Sequence, residues 1–520
     1  MAIRTLIKPG AYHDSVSLML VARELSKLEG VRDAALVMAT AANKSILAEA
    51  GLLTGEAKLA TPNDLCISVS AESDALAEAA LQKAESLLKT KGGTAGGGEF
   101  QPKTIRGALA SYPDANVAVI SVAGRYATDE AWDALQRGLH VLLFSDNVSL
   151  EDEIALKTYA RDHGLLLMGP GAGTTILNGV ALGFANVLPP GPVGIVSAAG
   201  TGLQEVSSLI ARQGVGISQG IGIGGRDLKK EVGGIMMLEA LKALQQDPAT
   251  CVLVLISKPP AKDVVQLILQ QVSLSQIPTV ICFLGGEMSA LSPLPLVLPA
   301  HTLEECALLA VQAAQTEGKD IQAFLTTEKA KLSEQARALK TKLSANRRYL
   351  RGLFSGGTLC YEAQVIWKDM LATPVYSNAP LPGRPSLPDS SKSYQHSAVD
   401  LGGEEFTVGR PHPMIDNDLR IRRLLQEARD PEVAVVMLDC VIGYGAHPNP
   451  AAELMPAIQQ ARQLAEGELL VVASVTGTEQ DPQRLSTQIG ALQAAGVTVC
   501  TSNAAAARLV GLLVSDRPEG

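Results

Sequence analysis

Two short segments combine serine, glycine and threonine in a pattern that favours anion binding. They are VGIVSAAGTGLQE (193–205) and RGLFSGGTLCYE (351–362), and each places a Glu five residues after the Gly of a Gly-Thr pair. A glycine-rich turn that opens a helix presents unpaired backbone N–H groups and a hydroxyl at the positive end of the helix dipole. We name these segments the first and second glycine turns. Their predicted phosphate ligands are Ser197, Gly200, Thr201 and Gly202 in the first, and Ser355, Gly356, Gly357 and Thr358 in the second.

Glycine-rich turns also occur in parallel sheets for packing alone, so one such turn leaves the packing and binding interpretations open. The same spacing of Thr and Glu in both copies favours binding. The repeated Glu has a second interpretation, which is that it stabilises a helix N-terminus through the dipole.

Further candidate ligands follow the glycine turns in each half. Gly224-Gly225-Arg226 in the first half corresponds to Gly402-Gly403 in the second. Arg226 is a candidate bidentate ligand of carboxylate or phosphate, or else part of a turn with surface partners. Lys258 follows an apolar run, and is either an anion ligand or a simple lysine at a strand end.

Arg410 and His412 are the candidate catalytic residues. They lie in VGRPHPMID (408–416), where Pro411 and Pro413 restrict the backbone on both sides of the histidine. This pair suits polarisation of a carbonyl or protonation of a leaving group. The alternative is a loop histidine that is bonded to backbone.

The elements that must position these residues are themselves repeated. The order strand, glycine turn, helix, Gly-Gly turn, helix, strand, helix, strand occurs twice, with Asp-Pro closing the second helical stretch at 247–248 and at 430–431. Alternating strands and helices predict doubly wound parallel sheets, whose ligands lie beyond the carboxyl ends of the strands. The predicted fold class is therefore multidomain α/β with two flavodoxin-like repeat domains.

The length of 520 residues exceeds what one hydrophobic core normally supports. The predicted parts are a small N-terminal α/β domain (1–90), a Gly-rich linker (91–103), a partial Rossmann-type domain (104–190), the first repeat domain (191–315), a helical connector (316–345) and the second repeat domain (346–520).

Composition excludes several function classes. No apolar run approaches the roughly 20 residues of a membrane span, and the first residues do not follow the signal-peptide pattern, so we expect a cytoplasmic protein. Net charge is −9 and aromatics are 3%, which disfavours nucleic-acid binding. The seven cysteines contain no CxxC pair, so we expect no metal site.

The sequence resembles the FdrA/YahF family, whose members are similar to the two subunits of succinyl-CoA synthetase fused in one chain. The resemblance spans nearly the whole length. The family is usually assigned as acyl-CoA synthetases, and one branch is implied to be a subunit of oxamate carbamoyltransferase in allantoin (purine nitrogen) catabolism. The stretches that carry it are DSVSLM (14–19), FSDNVSLEDE (144–153), GIGGRDL (222–228), LISKPPA (255–261), RGLFSGGTL (351–359) and VGRPHPMID (408–416).

The sequence departs from the synthetase pattern at three places. The glycine fingerprint that contacts CoA is missing, FLGGEMSALSPL (283–294) has no histidine to be phosphorylated, and Lys258 lies where a supporting glutamate is expected. We also find no ATP-grasp domain. We therefore expect no required cofactor and regard CoA binding as disfavoured.

The leading functional hypothesis is phosphate-dependent carbamoyl or acyl transfer, for example oxalurate plus phosphate to oxamate plus carbamoyl phosphate. The alternatives are a nucleotide-dependent acyl-CoA synthetase and a non-catalytic scaffold. Expected partners are small anionic substrates, with phosphate or carbamoyl phosphate among them, and other transferase subunits or a second copy of the chain.

Overall fold

The computed structural model describes residues 2–11, 15–26, 28–40, 43–44, 47–48, 50–91, 102–122, 124–287, 294–315, 321–407 and 411–515. Most of the predicted linker and the start of the predicted connector lie outside these ranges. The chain forms two compact units, which we treat separately. The N-terminal unit comprises Met1–Pro102 and Gly403–His412, and the main unit comprises Lys103–Gly402 and Pro413–Gly520. None of the helices in the described ranges has the length and hydrophobicity that a bilayer-crossing segment needs.

The N-terminal unit is a small α/β sandwich with an antiparallel sheet in the order β1-β3-β2. Every residue of β3 is buried, because β1 and β2 flank this central strand and a hydrophobic cluster packs on each of its two faces. Leu18 and Leu25 of α1 pack on Leu36 and Ile67 of the sheet in one core. The elements are β1 (Ala2–Lys8), α1 (Ser15–Ser26), β2 (Val31–Met38), α2 (Gly55–Leu59), β3 (Leu65–Ala71) and α3 (Asp74–Lys91).

The main unit begins with a three-stranded parallel sheet in the order β4-β5-β6. Ser149 caps the third helix of this region by accepting a hydrogen bond from the backbone N–H of Asp152 at 3.0 Å. Three acidic residues in the first turn of that helix suit its dipole. The elements are α4 (Ile105–Ser111), β4 (Val117–Ile120), α5 (Gly124–Gln136), β5 (His140–Leu143), α6 (Leu150–Asp162) and β6 (Leu167–Met168).

A seven-stranded sheet in the order β13-β12-β11-β9-β10-β7-β8 forms the first half of the remainder. Strands β9 to β13 are parallel, and the hairpin β7–β8 adds an antiparallel edge. The elements are β7 (Thr174–Leu177), β8 (Val180–Gly183), β9 (Pro190–Ser197), α7 (Gly200–Arg212), β10 (Ile217–Gly222), α8 (Ile235–Gln246), β11 (Val252–Ser257), α9 (Lys262–Ser273), β12 (Thr279–Phe283), β13 (Val297–Pro299) and α10 (Leu303–Ala314).

A six-stranded parallel sheet in the order β15-β16-β14-β17-β18-β19 forms the second half. Of its elements, α13 belongs to the N-terminal unit. The elements are α11 (Ile321–Lys340), β14 (Tyr349–Phe354), α12 (Gly357–Met370), β15 (Val375–Ser377), β16 (His396–Asp400), α13 (Glu404–Thr407), α14 (Asp418–Glu427), β17 (Val433–Val441), α15 (Pro450–Leu464), β18 (Leu470–Thr476), α16 (Leu485–Ala494), β19 (Thr498–Cys500) and α17 (Asn503–Val514).

The two halves of the main unit repeat one topology, which confirms the predicted fold class. Strands β9 and β14 are the equivalent central strands, and each leads through a glycine turn into a helix, α7 or α12. One hydrophobic core runs through both halves and joins Phe354 and Trp367 to Ile195 and Val254. Shared burial of this kind makes the halves one folding body and fixes the positions of the two glycine turns.

Candidate functional site

The two glycine turns face each other and form one composite site. A Cβ atom placed on Gly356 would lie 2.9 Å from Oγ1 of Thr201. In the reverse direction, a Cβ atom on Gly202 would lie 3.1 Å from Cγ2 of Thr358. The N-termini of α7 and α12 are therefore in van der Waals contact, and only glycine fits at the contact points without a shift. The positive ends of two helix dipoles meet here, which favours an anion.

The first glycine turn keeps its helix N-terminus open. The buried hydroxyl of Ser197 donates to the carbonyl of Ala199 at 2.8 Å and accepts from its N–H at 3.0 Å, so this serine shapes the turn. Within the described ranges, the first-turn N–H groups of α7, from Gly200 to Gly202, have no protein acceptor. These N–H groups remain available to a ligand oxygen.

Thr174 is a residue of this site that the sequence analysis missed. It lies on β7 and is buried, and its Oγ1 lies 3.5 Å from the position of a Cβ atom on Gly200. It offers a further hydroxyl next to the open helix end. Its place on a hairpin strand could not be read from the glycine turns, because β7 belongs to a different segment.

An internal carboxylate occupies the first positions of the second glycine turn. Asp439 of β17 accepts hydrogen bonds from the backbone N–H groups of Ser355 and Gly356, both at 2.8 Å, and from the Ser355 hydroxyl at 3.0 Å. Asp439 is fully buried and pairs with the buried guanidinium of Arg420 at 3.2 Å. Gly357 and Thr358 are thus the part of this turn left for an external anion.

A second carboxylate lies close to the remaining part of the second turn. A Cβ atom on Gly357 would lie 2.6 Å from Oδ2 of Asp400, and the backbone N–H of Gly402 donates to Oδ1 of Asp400 at 3.0 Å. Gly402 therefore helps to hold Asp400 beside the turn. An anion at the composite site would lie nearer the first turn, where no carboxylate competes for the N–H groups.

Lys258 supplies a cation beside α12. It follows β11 at the carboxyl end of the first sheet, and its Nζ lies 5.2 Å from the ring centroid of Tyr361. This places a charge from the first half against a helix of the second half. Burial raises the pKa of the nearby Cys360 thiol well above its usual range, so Cys360 is a protonated thiol and no nucleophile at neutral pH.

Gly224, Gly225 and Arg226 form a turn beside the first sheet. Gly224 has a φ of +86°, which is the left-handed region that glycine favours. The partly exposed Arg226 side chain forms an ion pair with the buried Glu153 of α6, with its Nε 2.7 Å from the carboxylate, and its Nη2 donates to the carbonyl of Val148, just before α6, at 2.8 Å. The Arg226 side chain therefore already has partners within the protein. Gly225 lies close to the first glycine turn, since a Cβ atom on Gly225 would lie 3.8 Å from the carbonyl oxygen of Ala198.

Two of the predicted site residues belong to the N-terminal unit, and a third is not described by the structure. Arg410 lies outside the described residues. Gly403 and His412 belong to the N-terminal unit, and Gly402 belongs to the main unit. The catalytic assignment of Arg410 and His412 stays a prediction.

Comparison with known proteins places the chain in a family. Residues 353–513 match the CoA-ligase family, and residues 1–103 match a family described as the AllF heavy metal-associated domain. YahF, an uncharacterized protein of Escherichia coli K12, is 43% identical over 506 residues, which is 97% of both chains. The chain belongs to the YahF family. This finding confirms the resemblance that the sequence motifs indicated.

More distant relatives of this YahF-family chain are CoA ligases. The alpha subunit of the ADP-forming succinate–CoA ligase from Methanothermobacter thermautotrophicus is 28% identical over 148 residues, which is 28% of this chain and 49% of the relative. The solved structure of ATP citrate lyase from Methanothrix soehngenii is 24% identical and covers 41% of this chain and 36% of its own, with a TM-score of 0.32. The match to the ligase subunit spans about half of that relative's length.

The N-terminal residues do not fit the heavy metal that the matched family name implies. Cys66 is the single cysteine among residues 1–103, and its buried sulfur lies 3.6 Å from Oγ of Ser68. Soft heavy metals prefer two or more thiolates. Among the described residues no three His, Cys, Asp or Glu side chains converge as a metal site.

Proposed function

We propose that this YahF-family chain is an acyl-transfer enzyme of the CoA-ligase type that binds phosphate, or the phosphate of an acyl phosphate, at the composite site. The observation that carries the proposal is the open N-terminus of α7 placed against α12. In this proposal the N–H groups of Gly200, Thr201 and Gly202 bind the phosphoryl oxygens. The hydroxyls of Thr201 and Thr358 donate to the same group, and Lys258 supplies positive charge.

The proposed chemistry needs fixed donors and no covalent enzyme intermediate. When phosphate is the acceptor, a phosphate oxygen attacks the acyl carbonyl, the bond from the carbonyl carbon to the leaving group breaks, and the leaving group takes a proton. When CoA is the acceptor, the thiol sulfur attacks the carbonyl of an acyl phosphate, the C–O bond to phosphate breaks, phosphate leaves, and the thiol proton passes to solvent. Negative charge gathers on the carbonyl oxygen in the tetrahedral transition state. One fixed donor at that oxygen contributes roughly 10²–10³ in rate.

Two forms of this function differ in the acceptor. The carbamoyl form converts oxalurate and phosphate to oxamate and carbamoyl phosphate, and its support is the motif resemblance. The CoA form transfers an acyl group from an acyl phosphate to the CoA thiol, and its support is the CoA-ligase match over residues 353–513 together with the ligase relatives. The family match favours the CoA form of the two.

Calorimetry with phosphate, carbamoyl phosphate and CoA tests the proposal. The Thr201→Ala, Thr358→Ala double variant should weaken phosphate binding about tenfold or more, because two donors to a charged group are lost. The matched control is Thr326→Ala, Thr327→Ala on α11, whose exposed hydroxyls bond only to helix carbonyls. Unchanged phosphate affinity in the first double variant would refute the composite site.

Binding of CoA or of carbamoyl phosphate distinguishes the two forms of the proposed function. CoA binding that strengthens when acetyl phosphate is present supports the CoA form. Carbamoyl phosphate binding with no heat from CoA supports the carbamoyl form. If the chain binds none of the three ligands, both the carbamoyl form and the CoA form are rejected and the scaffold hypothesis replaces them.

A further inference from the structure

A cleft of about 510 Å³ lies between the two halves of the main unit, beside the composite site. One wall is formed by α9 and by the segments that follow β11 and β12, and the other by α12 and residues 381–384. Its volume lies within the roughly 300–1,000 Å³ of sites that hold drug-sized ligands. The apolar part of the lining includes Pro259, Pro260, Phe283, Val365 and Leu381.

Three cations line this cleft, and a fourth lies at its edge. Lys262, Lys368 and Arg384 line the walls, while Lys258 lies over the ring of Tyr361, which is also part of the lining. Within the described ranges, none of these four side chains has a carboxylate partner. Glu287 is the acidic residue of the lining. The cleft therefore carries an excess of positive charge on an apolar surface.

Tyr361 lines the cleft and offers a hydroxyl donor there. Tyr361 is 7% exposed, and within the described ranges its hydroxyl has no hydrogen-bond partner. This hydroxyl is accessible at the cleft, so a polar group of a ligand bound there can accept a hydrogen bond from it. Burial also raises the pKa of Tyr361, which keeps this phenol a proton donor at neutral pH.

The cleft starts one helical turn from the composite site. Tyr361 follows Thr358 by three residues on α12, so the two side chains lie on the same face of the helix. A molecule whose activated carboxyl lies at the glycine turns can place its remaining atoms along Tyr361 and Val365. A carbamoyl group has too few atoms to occupy this volume.

We propose that the cleft binds the body of the transferred acyl group, and that this group derives from a bulky organic acid with an aromatic or long apolar chain and a second anionic group. The assignment rests on the proposed acyl transfer at the composite site. Lys262, Lys368 and Arg384 bind the second anionic group, Tyr361 donates to it or to a neighbouring carbonyl, and the prolines and Phe283 contact the apolar part.

Fluorescence of 8-anilinonaphthalene-1-sulfonate with the full chain tests the cleft, because this probe joins an aromatic body to one anionic group. The Lys368→Gln, Arg384→Gln double variant should bind the probe about tenfold more weakly. The uncharged analogue N-phenyl-1-naphthylamine should bind wild type and this double variant with equal affinity. The control is Lys329→Gln, Lys340→Gln on α11, which removes two exposed lysines away from the cleft and should change neither affinity.

Displacement of the probe identifies the ligand class. Terephthalate and suberate should displace the probe from the wild-type protein. Tyr361→Phe keeps the aromatic ring and removes the hydroxyl, so the affinity for the more effective of these two dicarboxylates should fall about tenfold. Probe binding that is unchanged in Lys368→Gln, Arg384→Gln, or that neither dicarboxylate displaces, would overturn the inference.

Inorganic phosphate separates failure of this inference from failure of the proposed function. Phosphate should bind at the composite site without displacing the probe. Phosphate binding together with a failed probe experiment would overturn the cleft assignment and leave the proposed function standing. Probe binding without any phosphate binding would overturn the proposed function, and with it the assignment of the cleft to an acyl group.

Discussion

Glu205 and Glu362 occupy matching positions in the two halves, and each accepts a hydrogen bond from a helix of the opposite half. Glu205 accepts from the backbone N–H of Asn503 at 3.0 Å, at the start of α17. Glu362 accepts from the backbone N–H of Leu303 at 2.6 Å, at the start of α10. Both carboxyl groups are buried. The repeated Gly-Thr…Glu spacing therefore combines an anion-binding turn with a contact that docks one half on the other.

The Glu362→Gln variant should change how stability depends on pH. Burial raises the pKa of Glu362 to about 7 from the usual 4.5. The folded state thus binds this proton more tightly than the unfolded state, so the resulting stabilisation is complete below pH 4.5 and is lost as pH rises through 7. A shift of this size corresponds to roughly 3 kcal/mol.

Urea unfolding at pH 5 and pH 8 measures this effect. From pH 5 to pH 8 the free energy of unfolding should fall more in wild type than in Glu362→Gln, because the glutamine does not titrate. Glu334→Gln, at an exposed position on α11, should follow wild type at both. A difference between Glu362→Gln and wild type that stays constant with pH would contradict the raised pKa.

The contact between the glycine turns predicts a strong coupling between Gly356 and Thr201. In Gly356→Ala the new methyl group would lie 2.9 Å from both Oγ1 and Cγ2 of Thr201, so one helix end must shift. We expect a loss of about 1–3 kcal/mol in the free energy of unfolding. In a Thr201→Gly background these atoms are gone, and the cost of Gly356→Ala should fall.

A double-mutant cycle on these two residues gives the coupling, which we expect to be about 0.5–3 kcal/mol. Gly490→Ala is the matched control, because a Cβ atom at this position on α16 has no heavy atom within 4 Å. This control should be neutral or stabilising by up to about 1 kcal/mol. Additive effects of Gly356→Ala and Thr201→Gly would show that the two helix ends do not touch.

Sequence patterns predicted the repeated architecture because its signals are local. Apolar runs mark β9 and β14, and the glycines after them mark the starts of α7 and α12. The face-to-face arrangement of the turns depends on how the halves dock, and it could not be predicted from spacing within either half.

Asp439 could not be assigned to the second turn from the sequence, since 84 residues separate it from Ser355. A signal was nevertheless present. VAVVMLDCV (433–441) is a fully buried strand with one charged residue, and a buried charge requires a partner. Such a residue is a candidate for a structural or functional contact even when its partner is unknown.

Asp439→Asn should be strongly destabilising. The change leaves the buried guanidinium of Arg420 without its carboxylate, which costs about 3–5 kcal/mol when a buried pair is broken in this way. Asp418→Asn removes an acid from the exposed pair with Arg422 and should cost less than about 1 kcal/mol. Thermal unfolding of both variants gives the comparison, and equal effects would show that Asp439 is not a buried partner.

Arg226→Gln separates a structural role from ligand binding. Arg226 forms an ion pair with Glu153, whose carboxylate also binds the buried Lys157 at 2.8 Å. The variant removes one of the two cations that neutralise this buried carboxylate, so it should lose about 1–3 kcal/mol of stability. Phosphate affinity should change less than about threefold, because the Arg226 side chain is already engaged.

Lys258→Gln should give the opposite result, since Lys258 has no carboxylate partner in the described ranges and lies beside α12. We expect a melting temperature close to that of wild type and phosphate binding weakened about fivefold. Calorimetry and thermal unfolding of both variants measure the two quantities independently. If Arg226→Gln weakens phosphate binding at an unchanged melting temperature, Arg226 leaves Glu153 to bind the ligand, as the sequence pattern predicted.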